Sequence, residues 1–303
     1  MTTTLPASGR YAVFGNPIAH SKSPRIHAMF AASVGQQIDY VARLCPLGEF
    51  AADLERFRNE GGVGANVTVP FKLDAFAVAR EASLRAQQAG AANFLMWRGD
   101  HWYCDNTDGA GLVRDIETNQ GVALRGKRVL LLGAGGAVRG VIGPLLLREP
   151  SSMVVVNRTH ATAVDLVGHY AAQYPVTALT AEQLVATGQR FDVVINATSA
   201  SLSGALPLPQ DAAIFASDAL AYDMMYGKAP TVFLRWAGQR GAARTCDGLG
   251  MLVEQAAESY VQWRSVLPPA APVMAQQTPP PVELCGVFQI TDAEHVSYIP
   301  IPG

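Results

Sequence analysis

The run Arg128-Val-Leu-Leu-Leu132, followed at once by Gly133-Ala-Gly-Gly-Ala137, restricts the fold of this chain more than any other segment. An unbroken apolar run of that length reads as a strand buried on both faces, inside a parallel sheet covered by helices. The glycines let the backbone turn sharply and enter a helix. Main-chain N–H groups and the positive helix N-terminus then converge on one point, a ready site for a pyrophosphate. Gly133, Ala134, Gly135, Gly136 and Ala137 are therefore candidate cofactor-binding residues. Val138 stands where a dinucleotide fingerprint usually has its third small residue, though Gly136 and Ala137 keep the helix entry narrow.

At 303 residues the chain is long for one core, so two domains are expected. Downstream of the glycine turn, strands at 153–156, 191–195 and 218–222 alternate with helical stretches such as 161–170. That rhythm predicts a Rossmann-type, doubly wound dinucleotide-binding domain over residues 109–247. Upstream, strands at 11–15, 38–44 and 64–69, helices at 23–33, 50–59 and about 80–89, and a hairpin at 93–103 form a first α/β unit, residues 1–108. Ser23 reads as the cap and Pro24 as the first residue of the helix at 23–33. A helix from 109 to about 118 links the units, and the apolar helix within 248–267 returns to complete the first. The fold class is thus α/β with an N-terminal substrate domain and a dinucleotide domain. Residues 268–303 read as a Pro-rich tail of unknown role with a short strand at 287–290.

Hydrophobic content of 49% with 16% charged residues fits a sizeable buried interior rather than disorder. A net charge of −2 without a basic run argues against nucleic acid as a partner. Cys45, Cys104, Cys246 and Cys285 form no C-x-x-C pair and the six histidines show no ligand spacing, so neither disulfides nor a metal are expected. The most apolar window, 129–147, is broken by five glycines, Arg139 and Pro144, and is not expected to span a membrane. The first nine residues lack the basic and apolar regions of a secretory leader, and a cytoplasmic monomer or homodimer is expected.

The strand after the glycine turn ends in Asn157-Arg158-Thr159. Sites selective for NAD place a carboxylate there to accept from the ribose 2′-hydroxyl. Here Arg158 can instead pair with a 2′-phosphate, which predicts NADP as the cofactor. Later in the domain, Asn196-Ala-Thr198-Ser199 is a polar loop on the sheet edge where ligands bind; taken alone it reads equally well as a capping turn.

Two further strand ends carry chemistry. Asn66-Val-Thr-Val-Pro-Phe-Lys72 and Cys104-Asp-Asn-Thr-Asp108-Gly each close an apolar run with a short polar turn. A lysine beside a carboxylate can pass a proton to or from a substrate oxygen. A proton donor plus a dinucleotide site points to hydride transfer at a carbinol or ketone. Ser21 and Ser23, two apart on an extended segment, point to one side and can grip one carboxylate; Ser23 alternatively serves only as a helix cap.

These motifs, with Tyr11-Ala-Val-Phe-Gly-Asn-Pro-Ile-Ala-His-Ser-Lys-Ser-Pro24 and Asp247-Gly-Leu-Gly-Met-Leu-Val-Glu-Gln255, occur in the order and spread of the shikimate dehydrogenase family, which the chain resembles from residue 11 to about 265. The resemblance implies NADPH-dependent, reversible reduction of 3-dehydroshikimate to shikimate in aromatic amino-acid biosynthesis. It implies Lys72 and Asp108 as the catalytic pair. Ser21, Ser23 and Tyr226 would hold the shikimate carboxylate, and Thr198 and Ser199 would line the nicotinamide side. Thr68, Asn93 and Gln255 would offer neutral hydrogen bonds to a polyhydroxy acid. Two departures stand out. The family often has a second arginine where this chain has Thr162, which implies a smaller NADP preference, and Asn93 lies between Ala92 and Phe94 rather than the usual Val and Thr. The readings in competition are a quinate/shikimate dehydrogenase using NAD or NADP, a non-catalytic nucleotide-binding redox sensor, and a two-domain dehydrogenase of folate type.

Overall fold

The computed structural model describes residues 9–198, 200, 204–277, 286–292 and 295–300. Two six-stranded sheets dominate it. The first contains β1 (Arg10–Gly15), β2 (Asp39–Leu44), β3 (Gly62–Val67), β4 (Glu81–Ala82), β5 (Phe94–Arg98) and β6 (His101–Asp105), in the order β2-β1-β3-β5-β6-β4. Its β2, β1 and β3 run parallel, while β5 is antiparallel to both neighbours. Around it lie α1 (Ser23–Ser33), α2 (Phe50–Asn59), α3 (Lys72–Val78), α4 (Leu84–Ala89) and α5 (Asp108–Arg114), the last continuing into one π-helical turn, Asp115–Asn119.

The second sheet is parallel throughout: β7 (Arg128–Leu132), β8 (Ser152–Val156), β9 (Val176–Leu179), β10 (Phe191–Asn196), β11 (Phe215–Asp223) and β12 (Arg244–Cys246), in the order β9-β8-β7-β10-β11-β12. Its helices are α6 (Gly136–Leu146), α7 (His160–Gly168), α8 (Ala181–Thr187) and α9 (Val232–Gln239). Leu130 and Leu132 feed one apolar layer, and Val129 and Leu131 the opposite one, which is why the strand reads as a continuous apolar run. The chain reverses its winding between β7 and β10. The turns leaving these two strands, Gly133 onward and Ala197 onward, therefore open a crevice between them, where ligands of such sheets bind.

Helix α10 (Leu249–Arg264) then packs on the first sheet. Trp263 stacks 5.1 Å from Phe94 and lies tilted 4.9 Å from Tyr11, with its Nε1 donating to Leu95 O at 3.1 Å. Two elements close the described chain, α11 (Ala270–Gln277) and a hairpin of β13 (Gly286–Asp292) with β14 (His295–Pro300).

Several local expectations are corrected. β3 ends at Val67 rather than 69, because Pro70 has no N–H for a ladder and Phe71 N donates back to Thr68 O at 3.0 Å. Lys72 accordingly opens α3, a helix the sequence reading lacked. The helix expected at 80–89 begins only at Leu84, where the Ser83 side chain accepts from Ala86 N. Lys22, not Ser23, is the N-cap of α1, and Ser23 is its first residue. Part of the expected tail is helical: Val273 of α11 is buried against α1 and α10.

Candidate active site

Three elements, α3, α5 and the start of β5, converge on one lysine–carboxylate pair. Lys72, the first residue of α3, places Nζ 2.5 Å from Asp108 Oδ2 at the start of α5. The lysine side chain is 22% exposed and that of Asp108 10%, so the pair is largely buried with the ammonium the more accessible member. Asn93, which precedes β5, donates to the other oxygen of Asp108 at 2.8 Å, and also to Thr107 Oγ1 and Gln255 Oε1 at 3.0 and 3.1 Å. Its own Oδ1 accepts Thr107 N at 2.8 Å. A charge-assisted bond on each carboxylate oxygen fixes the Asp108 rotamer, leaving the ammonium's remaining hydrogens for a ligand.

A second layer holds Asn93. Asn66 at the end of β3 donates to Asn93 O at 3.2 Å and to Ser259 Oγ of α10 at 2.9 Å, and accepts from Tyr40 OH at 2.8 Å. His27 Nε2 also lies 3.2 Å from Asn66 Oδ1, so that nitrogen carries the ring proton. His27 is wholly buried and its Nδ1 finds no partner, and burial pushes its pKa down to about 3. Asn66, Thr107 and Ser259 escaped the sequence reading as site residues. The only signal for them was a polar side chain at the apolar end of a strand or on the buried face of a helix.

The loop from Ser21 to Ser23 differs from the extended segment expected. Lys22 is helical (φ −83°, ψ −9°), so Ser21 Oγ turns to accept Ser23 N at 3.3 Å. The two hydroxyls therefore do not share a face through strand alternation. Thr68 is adjacent, because Asn16 N after β1 donates to Val69 O at 3.1 Å and Thr68 N to Phe14 O at 2.9 Å. Tyr226, after β11, reaches this loop from the second sheet, with Lys22 Nζ 5.3 Å from its ring centroid. Burial, aided by the charge of Asp247, holds the Tyr226 hydroxyl protonated to higher pH than usual.

On the nucleotide side, Gly133 has φ +113°, and a Cβ there would lie 3.3 Å from both Thr198 Cγ2 and Val138 Cγ2. The turn is thus tightly seated below. Above Gly135 and Gly136 a Cβ would meet nothing within 4 Å, and the N-terminus of α6 has no side-chain cap. That open cradle over uncapped N–H groups fits a pyrophosphate. At the end of β8, Asn157 Nδ2 bonds Thr159 O at 2.9 Å, and Arg158 and Thr159 stand exposed beyond it. Thr198 is held by Asn196, whose Oδ1 accepts its Oγ1 at 2.7 Å and its N at 3.1 Å; Asn196 in turn donates to Asp223 Oδ1 at 3.2 Å. Ser199 lies outside the described residues. Among the described residues no cluster of His, Cys, Asp or Glu could hold a metal ion, and no helix is long and apolar enough to cross a membrane.

A parallel sheet of this order, a glycine cradle and a lysine–carboxylate pair beside it define a two-domain, dinucleotide-dependent oxidoreductase. Three family models match in chain order: the shikimate dehydrogenase substrate binding domain over residues 13–95, shikimate / quinate 5-dehydrogenase over 116–203, and the shikimate 5′-dehydrogenase C-terminal domain over 248–276. The chain belongs to the shikimate dehydrogenase family. The shikimate dehydrogenase (NADP(+)) of Alcanivorax borkumensis is 54% identical over 270 residues, 88% of this chain and 96% of that protein. Its counterpart in Nitrosospira multiformis is 55% identical over 267 residues, again 88% and 96%. Among solved structures, an enzyme of Pseudomonas putida has a TM-score of 0.85 at 50% identity, covering 90% of this chain and 99% of that one. The shikimate 5-dehydrogenase of Thermus thermophilus, in complex with NADP(H) and shikimate, has a TM-score of 0.78 at 31% identity, covering 88% and 98%.

Proposed function

We propose that this chain is an NADP-dependent dehydrogenase that interconverts 3-dehydroshikimate and shikimate. The observation that carries the reading is the Lys72 Nζ–Asp108 Oδ2 contact, in a chain more than half identical to NADP-dependent shikimate dehydrogenases. When bound, the reduced cofactor would supply the hydride that joins the ring carbon, and the oxidised cofactor would accept the one that leaves it in the reverse direction. Lys72 gives the carbonyl oxygen its proton in the reductive direction and takes it back in the other. Asp108 aims the ammonium and balances its charge, while Asn93 keeps the second carboxylate oxygen occupied.

The remaining assignments belong to the same proposal. Ser21, Ser23 and Tyr226 hold the substrate carboxylate, and Thr68, Asn93 and Gln255 bind the ring hydroxyls. Gly133, Ala134, Gly135, Gly136 and Ala137 cradle the pyrophosphate. Asn157, Arg158 and Thr159 bind the ribose with its 2′-phosphate, and Thr198 and Ser199 line the nicotinamide side. The substrate domain is residues 1–108 with 248–267, and the cofactor domain is 109–247. A cytoplasmic monomer or homodimer remains the expectation. Closure of the crevice around both ligands excludes water from the transfer.

The decisive assay follows absorbance of the reduced nicotinamide with shikimate or quinate as substrate and NADP or NAD as cofactor. Shikimate with NADP is expected to give the highest kcat/KM. Equal turnover of quinate would move the reading to the broader quinate/shikimate class, and tight NADPH binding without turnover of either acid would leave only a sensor.

A further inference from the structure

We propose that Asn106 is a positioning residue through which the seating of the cofactor helix α6 sets the geometry of the Lys72–Asp108 pair; this deepens the functional reading above and rests on it. Asn106 is fully buried. Its Oδ1 accepts the backbone N–H of Asp108 at 3.2 Å, and its Nδ2 donates to Ala91 O at 3.0 Å. The N–H of that same peptide, from Ala92, bonds Lys72 O at 2.8 Å. One side-chain amide therefore holds the peptide that carries Asp108 directly and the one that carries Lys72 at one remove.

The same amide lies flat on α6. A Cβ at Gly140 would sit 2.9 Å from both its nitrogen and its oxygen. Beside it, a Cβ at Gly109 would meet Gly140 O at 2.6 Å and Pro144 Cγ at 2.4 Å. Glycines at 109 and 140 allow the Asp108 turn and α6 to touch backbone to backbone, with Asn106 wedged at the contact. Gly140 lies about one helical turn past the α6 N-terminus that forms the phosphate cradle. Any adjustment of α6 to a bound pyrophosphate presses on Asn106 and on the Gly109 backbone beside it. Hydrogen bonds from that amide then pass the displacement to both.

The test compares Asn106→Ala, Gly140→Ala, the double variant, and Gly143→Ala as control, whose new methyl faces the flexible end of Gln88 at 3.2 Å instead. Three quantities are read: NADPH affinity by fluorescence titration, kcat for shikimate oxidation, and the pH profile of kcat. Asn106→Ala and Gly140→Ala are each expected to lower kcat on the order of 10- to 100-fold, as misplacement of a reacting group does, and to displace the pH profile. NADPH affinity should hold in Asn106→Ala, and Gly143→Ala should match the wild type throughout. The double variant should be no worse than its weaker parent, because the added methyl enters space the amide has left. Fully additive losses, or a wild-type pH profile in Gly140→Ala, overturn the inference, and the second readout decides even if Asn106→Ala fails to fold. A wild-type protein that binds NADPH but leaves shikimate untouched overturns the functional reading and this inference with it.

Discussion

His27 should make the first domain acid-sensitive through a single buried ring. It is wholly buried, stacked 4.3 Å from Tyr40 and tilted against Trp263 at 5.5 Å, with no partner for Nδ1. Its pKa is lowered from 6.5 to about 3, chiefly by burial and against the hydrogen bond that Nε2 donates to Asn66. Below pH 6.5 the unfolded chain takes a proton that the folded state refuses, so stability rises with pH across that window and is lost as pH falls toward 3. At about pH 5 the unfolded ring is roughly 1.5 units below its own pKa, which at 1.36 kcal/mol per unit costs about 2 kcal/mol. Urea unfolding followed by tryptophan fluorescence at about pH 8 and about pH 5 isolates this contribution when wild type is compared with His27→Gln. The variant retains a donor for Asn66 and loses the titration. It should start less stable, through lost stacking, yet fall about 2 kcal/mol less between the two pH values. Parallel losses in the two proteins, equal within about 0.5 kcal/mol, would refute the reasoning.

Three other outcomes follow from the site. Lys72→Met should lower kcat by about 10²- to 10⁴-fold, the usual range for a lost general acid, with NADPH affinity intact by fluorescence titration; a kcat near wild type removes Lys72 from the chemistry. Arg158→Ala should weaken NADPH by about 10-fold or more, converting 1.5–3 kcal/mol for a charge-assisted bond, and leave NADH unchanged; equal losses with both cofactors would mean that Arg158 does not read the 2′-phosphate. Gly133→Ala forces a Cβ onto a backbone at φ +113° and into contact with Thr198 and Val138, and should destabilise by about 1–3 kcal/mol while weakening NADPH binding. An unchanged melting temperature and NADPH affinity would contradict the strain argument.

What the sequence revealed were the features encoded locally. The run at 128–137 announced strand, turn and helix, because burial on both faces and the backbone freedom at Gly133 each leave a mark in adjacent residues. Lys72 and Asp108 were legible as ends of polar turns, although 36 residues part them. The support beneath them was not. Asn66 meets Ser259 across 193 positions, and Asn93 meets Gln255 across 162, contacts that no window of sequence contains. Ser21 and Ser23 misled for a different reason. Their spacing matched strand alternation, but helix α1 started one residue earlier than its cap signals implied. Helix α11 was masked by its setting, a Pro- and Gln-rich stretch in which Val273 is buried and Ala270 and Met274 pack against the same cluster.

The return of α10 to the first sheet has a bearing on biosynthesis. Ribosomes deliver a chain from its amino end, and independent units fold as they emerge. Here the unit begun first is finished last: Gln255, Ser259 and Trp263 are made after the whole second sheet, yet they sit under Asn93, Asn66 and Leu95. The nascent first half therefore waits with a gap in its core through most of translation. A message broken between β12 and α10 yields a polypeptide that keeps the Gly133–Ala137 turn and the whole second sheet but lacks the helix that closes behind Lys72 and Asp108. Only a chain read through α10 brings Gln255, Ser259 and Trp263 to the first sheet.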